Sequence, residues 1–242
     1  MRADVTLMSV AENSGRRAGF LYLVLAVTGG FSMLYVPSLI VAGDAAATVA
    51  NIRNHEVLFR LGVLSGLVSQ VLFVFLALSL YRLFKHVDAT LATTMVALVV
   101  AAVPVAFLNM LNQLAALHIL GGAAYLSVFS PDQTNALVLL FLDLHSQGLL
   151  IVGVFWGLWL LPLGLLVMKS RMIPAFVGVL LIVACVGYLI DVVMRLLSPD
   201  NAAVVTAISS VLKIGELVMI FWLLIRGVKT QPEPGSAIPS SA

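Results

Sequence analysis

Charge is scarce in this 242-residue chain: 10% of its residues are Asp, Glu, Lys or Arg and 62% are apolar, against roughly a quarter and a half in soluble domains. So apolar a chain cannot cover itself with polar surface in water, which excludes a soluble globular fold. It equally excludes a disordered chain, whose hallmark is a shortage of apolar residues. Cysteine is almost absent. With Cys185 alone, no internal disulfide and no multi-cysteine metal site can form. Neither sign of charge dominates, since 13 Lys+Arg against 11 Asp+Glu leave a net +2; there is no basic footprint for nucleic acid, and no nucleic-acid motif. The GxSxG, HExxH and P-loop patterns are missing too. Of the four histidines, His55 and His86 fall in connectors and His118 near a helix end. His145 follows Asp143 by two residues, about 200° round a helix, so the two cannot share a metal ion. No metal, haem or other cofactor is expected.

What the chain has is length without charge. A hydrocarbon layer about 30 Å thick needs roughly 20 apolar residues per helix. Stretches of that kind cover residues 18–41, 58–84, 90–120, 134–168, 172–197 and 201–227. They are long and do not alternate, so they read as helices and not barrel strands. The expected fold is all-α: an integral membrane bundle of six transmembrane helices over 18–228, after an N-terminal segment 1–17 and before a Pro/Ser-rich tail, 229–242, expected to be disordered. The first run exceeds the 7–15 residues of a signal-peptide core.

With the N-terminus inside, Arg2, Arg16, Arg17, Arg82, Lys85, Lys169, Arg171, Arg226 and Lys229, nine of the thirteen basic residues, fall on the cytoplasmic side. The positive-inside rule therefore places both termini in the cytoplasm. The outer connector 42–57 predicts a short surface helix capped by Asp44. The second outer connector, 121–133, opens on Gly121-Gly122 and ends in Ser130-Pro131-Asp132, a helix stop and restart.

Ionisable groups inside lipid cost roughly 2.5–3.5 kcal/mol each and default to functional hypotheses. They are Arg60, Asp143, Asp191, Arg195, Lys213 and Glu216. Asp191 and Arg195 stand four apart, Lys213 and Glu216 three apart, so each pair can form within its own helix. Asp143 has no basic residue within a turn and is expected to find its partner elsewhere. Asn109, Asn112 and Gln113 share one helix face, and Asp143, Ser146 and Gln147 another. These faces are expected to meet as a polar layer in the outer half of the bundle. The candidate ligand-binding set is Asp143, Asn109, Asn112, Gln113, Asp191, Arg195, Lys213, Glu216 and His145, with Arg60 at its mouth and connector 42–57 as a lid. No catalytic set is assigned.

Gly62/Gly66 and Gly153/Gly157 have the GxxxG spacing of close helix packing, inside the bundle or between copies in a homo-oligomer. Pro104 and Pro162 predict kinks. Trp156 and Trp159 read as lipid-facing or core.

Several pieces resemble a family of bacterial multi-pass membrane proteins catalogued as domain of unknown function 4386. They are Gly43-Asp44-Ala45-Ala46-Ala47-Thr48 with Asn51-Ile52, Glu56 and Leu58-Phe59-Arg60; Gly121-Gly122-Ala123 with Tyr125-Leu126; Phe141-Leu142-Asp143-Leu144-His145; Gly187-Tyr188-Leu189-Ile190-Asp191; and Gly215-Glu216. Lys213 lies outside these pieces. The resemblance implies a bacterial six-helix membrane protein, expected in the plasma membrane, the inner membrane of its cell, and brings no activity.

The expectation is a protein that binds or transports a small molecule, ion or lipid headgroup in a polar intramembrane cavity, with membrane lipids as its other partners. A membrane enzyme using Asp143 or Glu216 as acid or base, and a structural protein with a packed polar core, stand as alternatives.

Overall fold

A computed structural model describes residues 2–198, 200 and 202–228, with side chains from Ser14 onward except at 202 and 203. The tail expected to be disordered lies outside the described residues. The described residues form α1 (Arg2–Ser38), α2 (Ala45–Asn54), α3 (Glu56–Phe84), α4 (Ala89–Leu120), a 3-10 turn (Ala124–Val128), α5 (Pro131–Leu158), α6 (Leu160–Ser170), α7 (Ala175–Leu197), α8 (Ala202–Leu212) and α9 (Ile214–Ile225). Six helical units are long and apolar enough to cross a membrane: Ser14–Ser38, Glu56–Phe84, Ala89–Leu120, Pro131–Ser170, Ala175–Leu197 and Val204–Ile225. An even number of crossings puts both ends of the bundle's chain on one face, called here the terminal face. The opposite one is the distal face.

Local chemistry sets the helix ends. The Asp44 carboxylate accepts from the Ala47 amide at 2.8 Å and starts α2, as its position predicts. Ser130 and Gln133 form a reciprocal capping box at the start of α5. α4 runs unbroken through Pro104, so no break answers the kink expected there. The fourth span is interrupted at Trp159, three residues before Pro162, whose missing N–H leaves the Leu158 carbonyl without its helical donor. The last span breaks at Lys213. There Ser209 and Ser210 both bond back to the Thr206 carbonyl, competing with the helix ladder.

The spans form a ring in chain order. α1 packs on α3, α3 on α4, α4 on α5, α5 and α6 on α7, α7 on α8 and α9, and α9 closes onto α1. Two separate cores fill it. The terminal half is filled by Leu76, Leu80, Phe84, Met95, Leu163 and Leu181 among others, drawn from all six spans. The distal core, around Val36, Ile52, Phe59, Leu117, Val138 and Leu142, takes side chains from α1 to α5 only. Among the described residues nothing from α7, α8 or α9 joins that cluster, Val192 of α7 being buried against Gly153 instead, and a gap is left on that side.

Glycines pack inside this ring. A Cβ on Gly62 would lie 2.5 Å from Val36, and one on Gly157 2.8 Å from Tyr188. All four glycines of the two GxxxG pairs are buried within the chain. Gly164 and Gly178 bring the α6 and α7 backbones together, each placing its Cβ position within 2.7 Å of the other's carbonyl oxygen.

At the terminal face, Asp88 caps α4 through the Leu91 amide at 3.0 Å and takes an ion pair from Lys169, at the end of α6, at 2.8 Å. The Lys169 ammonium, then the Leu91 amide, hold its carboxyl below the usual carboxylate range.

Two outcomes follow. Gly164→Ala lowers the melting temperature in detergent, because the new methyl meets backbone and overpacking costs about 1–3 kcal/mol. Gly30→Ala, with nothing within 4 Å of its Cβ position, raises it, since a mid-helix Gly costs about 0.5–1 kcal/mol against Ala. Separately, a carboxyl whose folded titration lies below its unfolded one adds stability above the ordinary aspartate range and loses it as pH falls through the lowered value. Asp88→Asn keeps the cap and removes that dependence. Melts from neutral pH into the acid range therefore fall less steeply for the variant than for the parent.

Candidate functional site

Where the distal core stops short, a cavity of about 290 Å³ opens between the two cores. Its walls come from α1, α3, α4, α5, α7 and α9 and are mostly apolar and aromatic: Tyr22, Phe73, Met110, Trp156, Trp159 and Tyr188 are on them. Trp159 stands edge-on to both Tyr22 and Phe73, with ring centroids 5.9 Å and 4.9 Å away.

Glu216 is the acidic group on that wall. At a rise of about 1.5 Å per residue it lies about 14 Å from the Ile225 end of its span and about 18 Å from the Val204 end. That is near mid-membrane. Its two oxygens accept one phenolic O–H each, from Tyr22 of α1 at 2.7 Å and from Tyr188 of α7 at 2.9 Å. Among the described residues no cation pairs with it. The expected Lys213–Glu216 pair does not form. The break at Lys213 turns its ammonium to Asp191 Oδ2 at 3.1 Å, 4.3 Å above the Tyr188 ring.

Asp191 is the centre of a second cluster, one step toward the distal face. Its other oxygen takes Arg195 Nε at 3.2 Å, the i,i+4 pair the spacing predicts, and the Thr206 hydroxyl at 3.2 Å. Arg195 also donates to Thr206 at 2.9 Å. Two cations and a hydroxyl therefore share one carboxylate, bridging α7 to α8 and to the break before α9.

The polar face of α4 does a different job. Asn109 Nδ2 donates to the His145 carbonyl at 2.9 Å, and His145 Nδ1 lies 3.2 Å from the Asn109 carbonyl. A carbonyl only accepts, so Nδ1 carries the proton and Nε2 is left as the ring's acceptor. Asn112 donates back to Asn109 at 3.1 Å. This clasp joins α4 to α5 and needs Gly148, whose Cβ position lies 2.0 Å from Asn109 Oδ1. Gln113 is buried and its Oε1 has no partner among the described residues. His145 alone of this group also lines the cavity.

Two expected site residues fall elsewhere. Asp143, Ser146 and Gln147 are exposed. With Leu142, His145 and Val152 turned inward, the 3.6-residue period forces Asp143 to the opposite side. Asp143 also lies about 40 Å along the helix from Ser170, in a span longer than a hydrocarbon layer about 30 Å thick requires. The fourth span is 40 residues long, and its start protrudes. Arg60 is exposed as well, paired with Glu56 at 2.8 Å, and is not on the cavity wall. Nor is α2, which packs on α5 and α3.

The sequence reading missed Tyr22, Trp156 and Trp159 as cavity residues; Gln70, which its depth places in the polar layer, is on the wall, and its buried Oε1 lacks a partner among the described residues. Tyr188 carried a signal: it stands one turn before Asp191 on the same face. Tyr22 carried none.

The profile of a family described as Domain of unknown function (DUF4386) matches residues 17–227. An uncharacterised protein of Archaeoglobus fulgidus is 36% identical over 76 residues, 31% of this chain and 44% of that protein, so the match spans less than half of the relative. No solved structure matches.

The Asp191 cluster and Asp143 separate cleanly by mutation. Asp191→Ala leaves Lys213 and Arg195 without their anion. It costs on the order of 2 kcal/mol, less than the about 3–5 kcal/mol of a fully buried pair, because both cations keep some exposure. Asp143→Asn changes stability by about 0.5 kcal/mol or less, as at an ordinary surface position. Thermal melts of the two purified variants in one detergent check both.

Proposed function

The chain belongs to the family described as Domain of unknown function (DUF4386), and from that premise we propose that it is a binding protein for small amphiphilic cations in a bacterial plasma membrane, with its terminal face in the cytoplasm. The observation that carries the reading is Glu216: a carboxyl group near mid-membrane, on the wall of an aromatic cavity, held by two neutral phenols and by no cation among the described residues.

The remaining polar groups on the wall point the same way. Gln70 Oε1 is unpaired and His145 Nε2 is an acceptor. Several donors there are engaged within the chain: both phenols on Glu216, Lys213 on Asp191, Ser69 on the Gly66 carbonyl and the Gln70 amide on Ser69. A wall that offers acceptors and π-faces favours a ligand that brings donors or positive charge. About 290 Å³ is the lower end of the range for small-molecule pockets, roughly 300–1,000 Å³. That suits a compact cationic head with a short apolar body.

N-octylpyridinium is a direct probe, since a pyridinium ring quenches tryptophan fluorescence and Trp156 and Trp159 are on the wall. With Trp222→Phe as background, saturable quenching is expected in nanodiscs. Glu216→Gln weakens it by about tenfold to a hundredfold, the worth of one charge-assisted contact of about 1.5–3 kcal/mol, while Asp143→Asn leaves it unchanged. The uncharged octylbenzene does not compete. Unaltered binding in Glu216→Gln, or equal competition by octylbenzene, removes the proposal.

A further inference from the structure

We infer that the cavity is loaded sideways from the membrane, through a slot between the distal halves of α1 and α9; this rests on the reading of the cavity as a cation site and adds where its ligand comes from.

The slot follows from how α1 and α9 meet. At the terminal end they are locked: a Cβ on Gly19 would lie 2.8 Å from Leu223 Cβ, and one on Gly15 3.0 Å from the Val228 amide. Eleven residues further along α1 the contact has gone, and Gly30 has nothing within 4 Å of its Cβ position. Gly30, Met33 and Leu217 line the cavity. Met33 and Leu217 are also 48% and 49% exposed, so the wall is breached between them. On the outer lip of α1, Val27 and Leu34 are exposed as well.

The breach lies at acyl-chain depth. Gly30 is about 12 Å from the Ser38 end of its span and Leu217 about 12 Å from the Ile225 end. The rim residues Val27, Gly30, Met33, Leu34 and Leu217 are all apolar, and Lys213, one turn from Leu217 on the wall, is turned to Asp191, whereas a mouth open to water at that depth needs polar groups on its lips. The way in from the distal face is roofed. Distal-core residues sit a turn or two beyond the cavity wall on each helix that supplies them: Val36 beyond Met33, Val63 before Gly66, Leu117 beyond Met110 and Leu142 before His145. Over the α7–α9 side stands the Asp191–Lys213–Arg195 cluster. The ligand is therefore a single-tailed amphiphile already dissolved in the membrane, whose cationic head reaches Glu216 along an apolar path.

Stopped-flow quenching of Trp156 and Trp159 in nanodiscs tests the route on the Trp222→Phe protein. N-octylpyridinium partitions into the bilayer; N-methylpyridinium carries the same head and stays in water. The slot predicts that the octyl compound quenches and the methyl compound, at equal concentration, does not reach the two rings. Gly30→Phe, which sets a ring where the Cβ position has nothing within 4 Å, slows octylpyridinium association by about tenfold or more, while Gly30→Ala does not. Equal quenching rates for the two compounds in the parent protein, or an unchanged rate in Gly30→Phe, overturn the slot and leave the site standing. Absence of saturable quenching by either compound removes the site itself.

Discussion

A carboxyl group near the middle of a hydrocarbon layer has no water to hold it, and the groups that take water's place at Glu216 tie the fold together. Tyr22 comes from the first span, Tyr188 from the fifth, and Glu216 itself from the last. Three spans far apart in sequence are thus fastened at one depth, and the ring of helices closes there. The alternative partner was near at hand, since Lys213 is three residues away on the same span. Its ammonium is drawn off by Asp191, which already holds Arg195. Two carboxyl groups therefore have different surroundings: Asp191 sits between two cations, and Glu216 sees phenols, aromatic rings and space.

The space has its own cause. A ring of six helices is filled only if each contributes bulk at every level, and among the described residues α7, α8 and α9 contribute nothing to the distal cluster. Their apolar side chains there, Val193, Leu196, Val204 and Ile208 among them, point outward. Polar residues hold most of the inward positions, Asp191, Thr206 and Ser209, with Val192 beside them. Such residues satisfy one another by hydrogen bonds and leave the apolar gap beside them open.

Most of the fold was legible because its signals are local. Span number, the Asp44 cap, the helix restart at Ser130 and the Asp191–Arg195 pair each depend on residues within a turn or two of one another. The site was less so, because a run of apolar residues does not mark which side faces the bundle. Asp143 and His145 are two positions apart and therefore on nearly opposite sides, and a reading that favours the charged residue chooses the wrong one. Depth misled in the same way: the fourth span is twice the length a membrane requires, so a residue well inside the helix is not well inside the lipid. Aromatic residues gave no warning either, since Tyr22 and Trp159 have the composition of an ordinary membrane core and their role comes only from what α9 and α3 bring beside them.

The glycines of α1 show how one residue type produces both closure and opening. Gly15 and Gly19 lie where α9 approaches, and their missing side chains are what allow backbone to meet side chain at 3 Å or less. Gly29 and Gly30 lie where α9 has moved away; Gly29 finds Ser69 of α3 at an ordinary 3.7 Å, and Gly30 finds open space. The first pair pins two helices at one end and the second keeps the gap at the other from being filled. Lys213 explains why α9 cannot simply lean back to close it. The break at that residue gives the last span a joint, and the ammonium at the joint is held toward α7 by Asp191. The ion cluster and the glycine contacts thus act on the same helix from opposite ends, and the cavity is the room left between them.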